Sequence, residues 1–417
     1  MHHLGKDWTF ALSLSRPSNQ KARHLKTPMR YPVTVIVIAQ LLGTSLWFSA
    51  NSAADDLIRS WAITPADIGT LTNGVQLGFI VGTLLFALSG LADRFAASRI
   101  FAVCAVLGAG FNAAFAWLAT DMAIGLPLRF AVGLALAGIY PLGMKLVVSW
   151  VPAQAGPALA WLVGMLTLGT ALPHGIRWLG GFASWQAPLT AASCLALVAA
   201  AMILWLGDGP HLKRRPGAGP LHLGRLLASF SVPEFRASAL GYFGHMWELY
   251  TLWTLAPALV VLSGLAAPAT PQVSGYTFLI IGIGAGSCVL GGWWSKRIGS
   301  ARVAALALGL SALCCALYPS SAHWPVWASL ALLLVWGAAA VADSPQFSAM
   351  SAAACPPEVM GSALALQTAI GFAITMVSIQ LGTYWLSNWG SGVAWLLLPG
   401  PILGLFGLRR LWWRQRL

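Results

Sequence analysis

The sequence is poor in charge. Only 8% of its 417 residues are Asp, Glu, Lys or Arg, whereas 58% are hydrophobic. Soluble domains average about 25% charged residues, so this chain has too few charges to cover a surface that faces water. The shortage excludes an ordinary soluble domain and favours a protein embedded in lipid.

Signatures of catalysis and metal binding are also missing. The sequence contains no HExxH, GxSxG or GxxxxGK[ST] pattern, and it has no paired Cys or His ligands. Its six cysteines lie in or beside apolar stretches without a CxxC spacing. We therefore predict that they pack as small side chains and bind no metal. We therefore expect no cofactor and no metal, and both a membrane enzyme and an ATP-driven pump are disfavoured.

Long apolar stretches fill nearly everything after Arg30. A helix needs ~20 mostly apolar residues to cross ~30 Å of hydrocarbon, and twelve stretches of this kind predict an all-α membrane protein with twelve transmembrane helices. The stretches are residues 31–54, 68–88, 100–119, 122–148, 157–179, 188–206, 237–262, 275–294, 303–318, 324–342, 362–385 and 393–408.

The basic residues follow the membrane. A net charge of +13 would suit nucleic acid, but 20 of the 24 Lys and Arg residues fall in the tails and loops of one side, against Arg59 and Arg177 on the other. This asymmetry predicts cytoplasmic termini, a bacterial inner membrane and no nucleic-acid partner. Residues 1–30 lack a signal-peptide core and are predicted to be a tail; a start at Met29, beside the first span, is an alternative that would remove residues 1–28.

Five positions recur at a nearly constant spacing along the chain, as expected for a duplication, which is common among transporters. The pairs are Pro141 and Pro345, Pro152 and Pro356, and Gly133 and Gly337 at an offset of 204, and Arg94 and Arg297, and Arg99 and Arg302, at an offset of 203. The repeat predicts two six-helix bundles, 31–206 and 236–408, joined by a cytoplasmic linker at 207–235, with a second tail at 409–417.

Two loops carry related motifs. They read SGLADRFAASR at 89–99 and GGWWSKRIGSAR at 291–302, and they resemble the loop motif of the major facilitator superfamily, a Gly followed by Asp-Arg and further basic residues. Asp93, Arg94 and Arg99 match in the first copy, and Arg297 and Arg302 match in the second. Two glycines of the first copy and the aspartate of the second are replaced. The resemblance implies a cytoplasmic latch; ordinary basic loop residues are the alternative, which leaves Asp93 unexplained.

Helix four carries LPLRFAVGLALAGIYP at 126–141, which resembles the same family's motif of an Arg four residues before a Gly. A lone Arg inside the membrane costs about 2.5 kcal/mol or more, so we expect Arg129 to point inward in a functional role, with snorkelling to the surface as the alternative. The resemblance implies that helices one, four, seven and ten line a central cavity.

Helix seven reads GYFGHMWELYTLW at 241–253. At 100° per residue its small and polar side chains share one face, namely those of Gly241, Gly244, His245, Glu248 and Thr251. We expect this face, and not the bulky one with Trp247, Leu249 and Trp253, to meet the cavity. Glu248 near mid-depth would carry a proton with His245 modulating it; a static salt bridge or a buried hydrogen bond is the alternative.

Further candidates for the cavity wall are Tyr140, Trp47, Asn51, Trp336 and Asp343. Together these features predict a monomeric secondary transporter that moves a small organic solute across the lipid bilayer, is coupled to protons, and works by rocking two bundles. A transport-inactive sensor on the same fold is the alternative. The residues do not name the solute or the direction of transport.

Overall fold

A computed structural model describes residues 31–181, 184–212, 229–355 and 360–414. Every regular element in these ranges is a helix, which confirms the predicted all-α class. The physical reason is that hydrocarbon offers no hydrogen bonds, so a chain in lipid must satisfy its backbone groups within each segment. Residues 1–30, and residues 213–228 of the predicted linker, lie outside the described residues.

Each of the twelve predicted spans overlaps a helix or a broken helix, although α1 ends at Thr44, ten residues before the predicted end of the first span, and the short helices Ala54–Trp61, Leu91–Arg94 and Ala394–Leu397 lie outside the set named below. The helices are α1 Pro32–Thr44, α2 Pro65–Ser89, α3 Ala97–Leu118, α4 in two halves, Met122–Leu136 and Tyr140–Trp150, α5 Ala155–Gly180, α6 Gln186–Leu206, α7 Pro233–Leu262, α8 Pro271–Ile298, α9 Ser300–Leu317, α10 in two halves, Val326–Ala342 and Ser344–Ala353, α11 Met360–Trp389 and α12 Pro399–Arg414. By length and composition alone, nine segments of the described chain are able to cross a membrane, one of them running from α11 into α12.

The two broken helices show the internal repeat. The second halves of α4 and α10 begin at Tyr140 and Ser344, which are 204 residues apart, and a proline follows each. Proline lacks the backbone N–H and fits only the first turn of a helix, so both helices restart at the same place in the repeat.

Close helix packing repeats as well. A Cβ added to Gly133 would lie 2.0 Å from the Val75 carbonyl oxygen, and one added to Gly337 would lie 1.9 Å from that of Ile280. Glycine therefore lets α4 approach α2, and α10 approach α8, to backbone contact. The two halves of the chain therefore share the same glycine-mediated helix contact at equivalent positions.

The two halves of the chain meet along α5 and α8 and along part of α2 and α11. Asn73 Nδ2 donates to the Met376 carbonyl at 3.0 Å, and Gly69 packs against Thr383. These contacts lie at the end of the molecule where α2 begins, which we call the opposite end. We call the other end, where α1 begins and α12 ends, the terminal end. Towards the terminal end, a cavity lies between the two halves.

Candidate functional site

The cavity has a volume of about 320 Å³ and is lined by helices of both halves. The first half contributes α2, α4 and α5, and the second contributes α7, α10 and α11. The lining extends towards the terminal end through Met144 and Ser348 to the exposed Gly361. The volume lies at the small end of the range for ligand pockets, roughly 300–1,000 Å³.

Helix α7 provides the longest continuous part of the wall. The stripe consists of Tyr242, His245, Met246, Leu249, Tyr250 and Trp253, a spacing of three and four residues that keeps the side chains on one helical face. The predicted orientation of α7 was therefore wrong for Leu249 and Trp253, which face the cavity.

The small residues of α7 face other helices instead. Gly241 packs against the ring of Phe347, and Gly244 packs against the backbone of Gly400 and Gly404 in α12. Small residues permit close helix contact, and Gly241 and Gly244 serve this purpose and do not line the cavity. His245 sits at the edge between the two faces and is the member of the predicted polar face that lines the cavity.

His245 forms a buried ion-pair contact with Asp343. Its Nδ1 lies 2.9 Å from Asp343 Oδ1, and both side chains are almost completely buried. Asp343 occupies the break in α10, directly before Ser344 begins the second half. The N-terminus of a helix favours a negative charge, and the contact is an ion pair only when the histidine is protonated. The pair joins α7 to α10, with His245 lining the cavity and Asp343 behind it.

Glu248 lies behind this wall. Its Oε1 accepts hydrogen bonds from Ser311 Oγ at 2.5 Å, from Cys315 Sγ at 3.2 Å and from Trp336 Nε1 at 2.6 Å. These donors belong to α9 and α10, and neither Glu248 nor Trp336 lines the cavity. The arrangement matches the predicted alternative, a buried hydrogen-bonded carboxyl group that joins three helices.

Aromatic rings from both halves close the cavity towards the opposite end. The Phe79 and Phe372 ring centroids are 4.6 Å apart, those of Tyr250 and Phe372 are 5.1 Å apart, and Trp47 stacks on Tyr250 at 5.7 Å. Trp47 is fully buried, and its Nε1 donates to Gln76 Oε1 at 3.2 Å. Trp47 therefore supports the aromatic layer from behind and does not itself line the cavity.

Arg129 is fully buried within the first half. Its Nη2 donates to the carbonyls of Leu46 and Trp47 at 3.2 and 2.6 Å, and its Nη1 donates to Ser49 Oγ and Asn112 Oδ1 at 3.1 and 2.8 Å. The two carbonyls follow the end of α1 at Thr44, where a cation is electrostatically favourable. The guanidinium group thus holds the interrupted part of the first span and lies away from the cavity.

The remaining predicted site residues are divided. Tyr140 lines the cavity, whereas Asn51 donates to Thr72 at 2.9 Å within the first half. Sequence reasoning missed several wall residues, among them Phe79, Tyr242, Tyr250, Gln367 and Phe372. A signal was present in the three-and-four spacing of the large α7 residues and in Gln367, an amide inside a predicted span.

The predicted latch residues lie at the terminal end. Arg94 and Arg99 line a second cavity, of about 660 Å³, beside the end of α6, where Asp208 accepts from the Ser98 backbone N–H at 2.8 Å. Arg297 covers the Trp293 ring at 4.0 Å, and Arg302 lies in the first turn of α9. The side chain of Asp93 lies outside the described part of the structure, so the latch stays a prediction.

Comparison with solved structures shows the same architecture. A D-xylose-proton symporter superimposes with a TM-score of 0.73 at 15% identity, covering 90% of this chain and 95% of that one. The nucleoside transporter NupG gives a TM-score of 0.69 at 14% identity over 92% and 99% of the two chains. The human organic anion transporter MFSD10 gives 0.66 at 17% identity over 92% and 100%. At these identities the similarity concerns the fold alone.

Sequence comparison adds a partial relative and a family. The niacin transporter NiaP of Acinetobacter baylyi is 35% identical over 128 residues, a match that spans 28% of each chain. A sequence profile of the Major Facilitator Superfamily matches residues 36–379, which is most of the chain. The chain therefore belongs to the Major Facilitator Superfamily and is an integral membrane solute transporter, not an enzyme.

Proposed function

We propose that this protein is a proton-coupled secondary transporter of a small organic solute. The solute passes through the central cavity, and the His245–Asp343 pair carries the proton. One observation supports this above the others: His245 lines a cavity that both halves enclose, and its buried carboxylate partner, Asp343, lies directly behind it. Buried ionisable groups within transmembrane segments are costly and mark proton relays and ion pathways.

The pair is suited to couple protonation to movement because it bridges two helices. His245 belongs to α7, and Asp343 lies at the break in α10, where the helix direction can change. With one proton the pair is an ion pair without net charge, whereas without it the buried Asp343 carboxylate keeps its charge. Closing the cavity around a net charge costs free energy, so protonation favours the closed arrangement and links the proton to the rocking of the halves.

This assignment differs from the sequence-based prediction, which gave the proton to Glu248. Glu248 has three hydrogen-bond donors on Oε1 and faces α9 and α10. We assign it a fixed role in holding these helices together. A monomer stays the proposed functional unit.

The positions of the basic residues support cytoplasmic termini in a bacterial inner membrane. In that orientation the cavity of this structure opens to the cytoplasm. Labelling of intact cells with an impermeant thiol reagent tests this: a cysteine placed at Arg59 should react, and one placed at Arg214 should not. The reverse pattern would overturn the orientation.

Solute-dependent proton movement in proteoliposomes tests the function. The purified protein is reconstituted with a pH-sensitive dye inside, and a panel of small organic solutes that includes niacin, suggested by the partial relative, is added outside. At least one solute should move protons together with itself. Accumulation of a transported solute that is indifferent to the proton gradient would contradict the proposal.

A further inference from the structure

The wall of the central cavity is unusually aromatic for its size. Its closed end is formed by the rings of Phe79, Tyr250, Trp253 and Phe372. The ring centroid of Tyr250 lies 5.1 Å from that of Trp253 and 5.1 Å from that of Phe372. The hydroxyl-bearing rings of Tyr140 and Tyr242 line it from α4 and α7. Rings thus reach the cavity from both halves, and a flat ring is the shape that stacks on such a wall most favourably.

Four residues of the cavity wall carry a buried polar atom without a hydrogen-bond partner among the described residues. The atoms are Thr83 Oγ1, His245 Nε2, Trp253 Nε1 and Gln367 Oε1. Leaving a buried polar atom unsatisfied is costly, so these atoms indicate where polar groups of a ligand bind. His245 and Gln367, which line the cavity from α7 and α11 and are 2% and 3% exposed, are the two whose side chains offer an imidazole nitrogen and an amide to a polar head group.

The charge of the wall limits the ligand further. The described residues that line the cavity include no Lys, Arg, Asp or Glu, and the nearest carboxylate, that of Asp343, is held by His245. A cationic solute would find no counterion in the described wall, and a carboxylate head group would rely on His245 in its protonated form, whereas a carboxamide would not. A polyhydroxylated solute would leave many hydroxyl groups against rings and aliphatic side chains, which is unfavourable.

We propose that the central cavity binds a planar aromatic solute with one carbonyl-type head group, a carboxylate or a carboxamide. The ring stacks among Phe79, Tyr250 and Phe372, and the head group is bound by His245 Nε2 and by the Gln367 amide, which offers both a donor and an acceptor. This proposal names the substrate class and rests on the proposed function in taking the cavity as the solute site.

Binding of four matched probes tests the proposal at equilibrium, without a proton gradient. The probes are benzoate, benzamide, cyclohexanecarboxylate and cyclohexanecarboxamide, titrated into the purified full-length protein and followed by tryptophan fluorescence and calorimetry. At least one aromatic probe should bind at up to millimolar concentration, and its saturated counterpart should bind roughly two- to tenfold more weakly or not at all, as expected for a lost ring-stacking term. The benzoate–benzamide comparison decides between the two head groups.

Two variants locate the site. Phe372→Leu should reduce affinity for the aromatic probe and narrow its advantage over the saturated one, whereas Gln367→Leu should weaken both aromatic and saturated probes with the preferred head group. Phe101→Leu is the matched control, because Phe101 is fully buried on α3 away from the cavity; it should leave probe affinity unchanged. Thermal unfolding of each variant verifies that the fold is retained.

Equal binding of aromatic and saturated probes, or no binding of either aromatic probe, would overturn the substrate class. The proposed function fails in a different assay, proton movement in proteoliposomes. If the protein selects aromatic probes but moves no protons, the substrate class stands and proton coupling is refuted. If it binds no aromatic probe but moves protons with a non-aromatic solute, proton coupling stands and the substrate class is refuted.

Discussion

At the scale of single residues, the buried charges of this protein fall into two kinds. Arg129 and Glu248 each have several partners within one half of the chain, four acceptors and three donors respectively. His245 and Asp343 have each other at the cavity wall. The number and position of partners therefore separates structural charges from those available to a solute or a proton.

Replacing Arg129 should cost stability before it costs solute affinity. Arg129→Leu leaves the Trp47 carbonyl without its donor, while Asn112 Oδ1 keeps the Ser49 hydroxyl, and an unsatisfied buried group costs about 1–3 kcal/mol. We expect a lower midpoint of thermal unfolding in detergent and an unchanged probe dissociation constant in the protein that remains folded. An unchanged midpoint together with lost probe binding would place Arg129 in the solute path.

Glu248→Gln should keep proton-coupled transport and lower stability. Glutamine preserves the shape of the side chain and can still accept from Ser311 and Trp336, but its NH₂ group replaces one carboxyl oxygen and cannot accept a hydrogen bond. We expect a modest drop in thermal stability and an unchanged pH dependence of uptake in proteoliposomes. Loss of the pH dependence in this variant would show that Glu248, and not the His245–Asp343 pair, carries the coupled proton.

At the scale of elements, helix positions could be predicted from the sequence but helix faces could not. Each of the twelve apolar stretches overlaps a helix in the described part of the chain, whereas the two helix breaks, at positions 204 residues apart, were not predicted. The face of α7 was wrong because small polar residues serve two purposes in membranes, lining a cavity and permitting close contact. Only the neighbours decide, and Gly241 and Gly244 have Phe347 and α12 beside them.

The candidate site was predictable to the same extent. His245 and Tyr140 were chosen from the sequence and line the cavity, and Asp343 lies behind His245; ionisable and hydroxyl groups are conspicuous in an apolar chain. The aromatic wall was not predicted, since rings occur throughout membrane helices and 11% of this chain is aromatic. The pairing of His245 with Asp343 joins residues 98 positions apart and required the fold.

The glycine contacts of the repeat give a prediction at this scale. Gly133→Ala and Gly337→Ala should each force α4 from α2, or α10 from α8, because the new Cβ would lie within 2.0 Å of a carbonyl oxygen. Overpacking of this kind costs about 1–3 kcal/mol, measurable as a lower unfolding midpoint. Gly110→Ala and Gly309→Ala are the controls, since nothing lies within 4 Å of their added Cβ; an equal effect in all four would refute the close contact.

At the scale of the whole molecule, the contact between α2 and α11 holds the opposite end closed. Asn73→Ala removes the 3.0 Å bond to the Met376 carbonyl, and one bond of about 1 kcal/mol changes an equilibrium roughly fivefold. The opposite end should therefore open more often. A cysteine placed at Thr70, with the exposed native Cys194 replaced by serine, should react faster with a thiol reagent.

The control for this experiment is Ser193→Ala, because the Ser193 hydroxyl bonds only within the first half in the contacts described, to Leu189 and Asn112. It should leave the labelling rate at Thr70 unchanged. Equal rates in the Asn73→Ala variant and the parent protein would show that this contact does not set the closure.

The measurement that tests the account most directly is the ratio of protons to solute moved by the Asp343→Asn variant in proteoliposomes. The account predicts that Asp343→Asn abolishes proton movement and gradient-driven accumulation, while exchange of labelled for unlabelled solute continues, because the amide keeps the shape of the site but leaves no negative charge for a proton to neutralise when the cavity closes. Retained, pH-dependent accumulation by Asp343→Asn would contradict the central claim that the His245–Asp343 pair couples the proton to the solute.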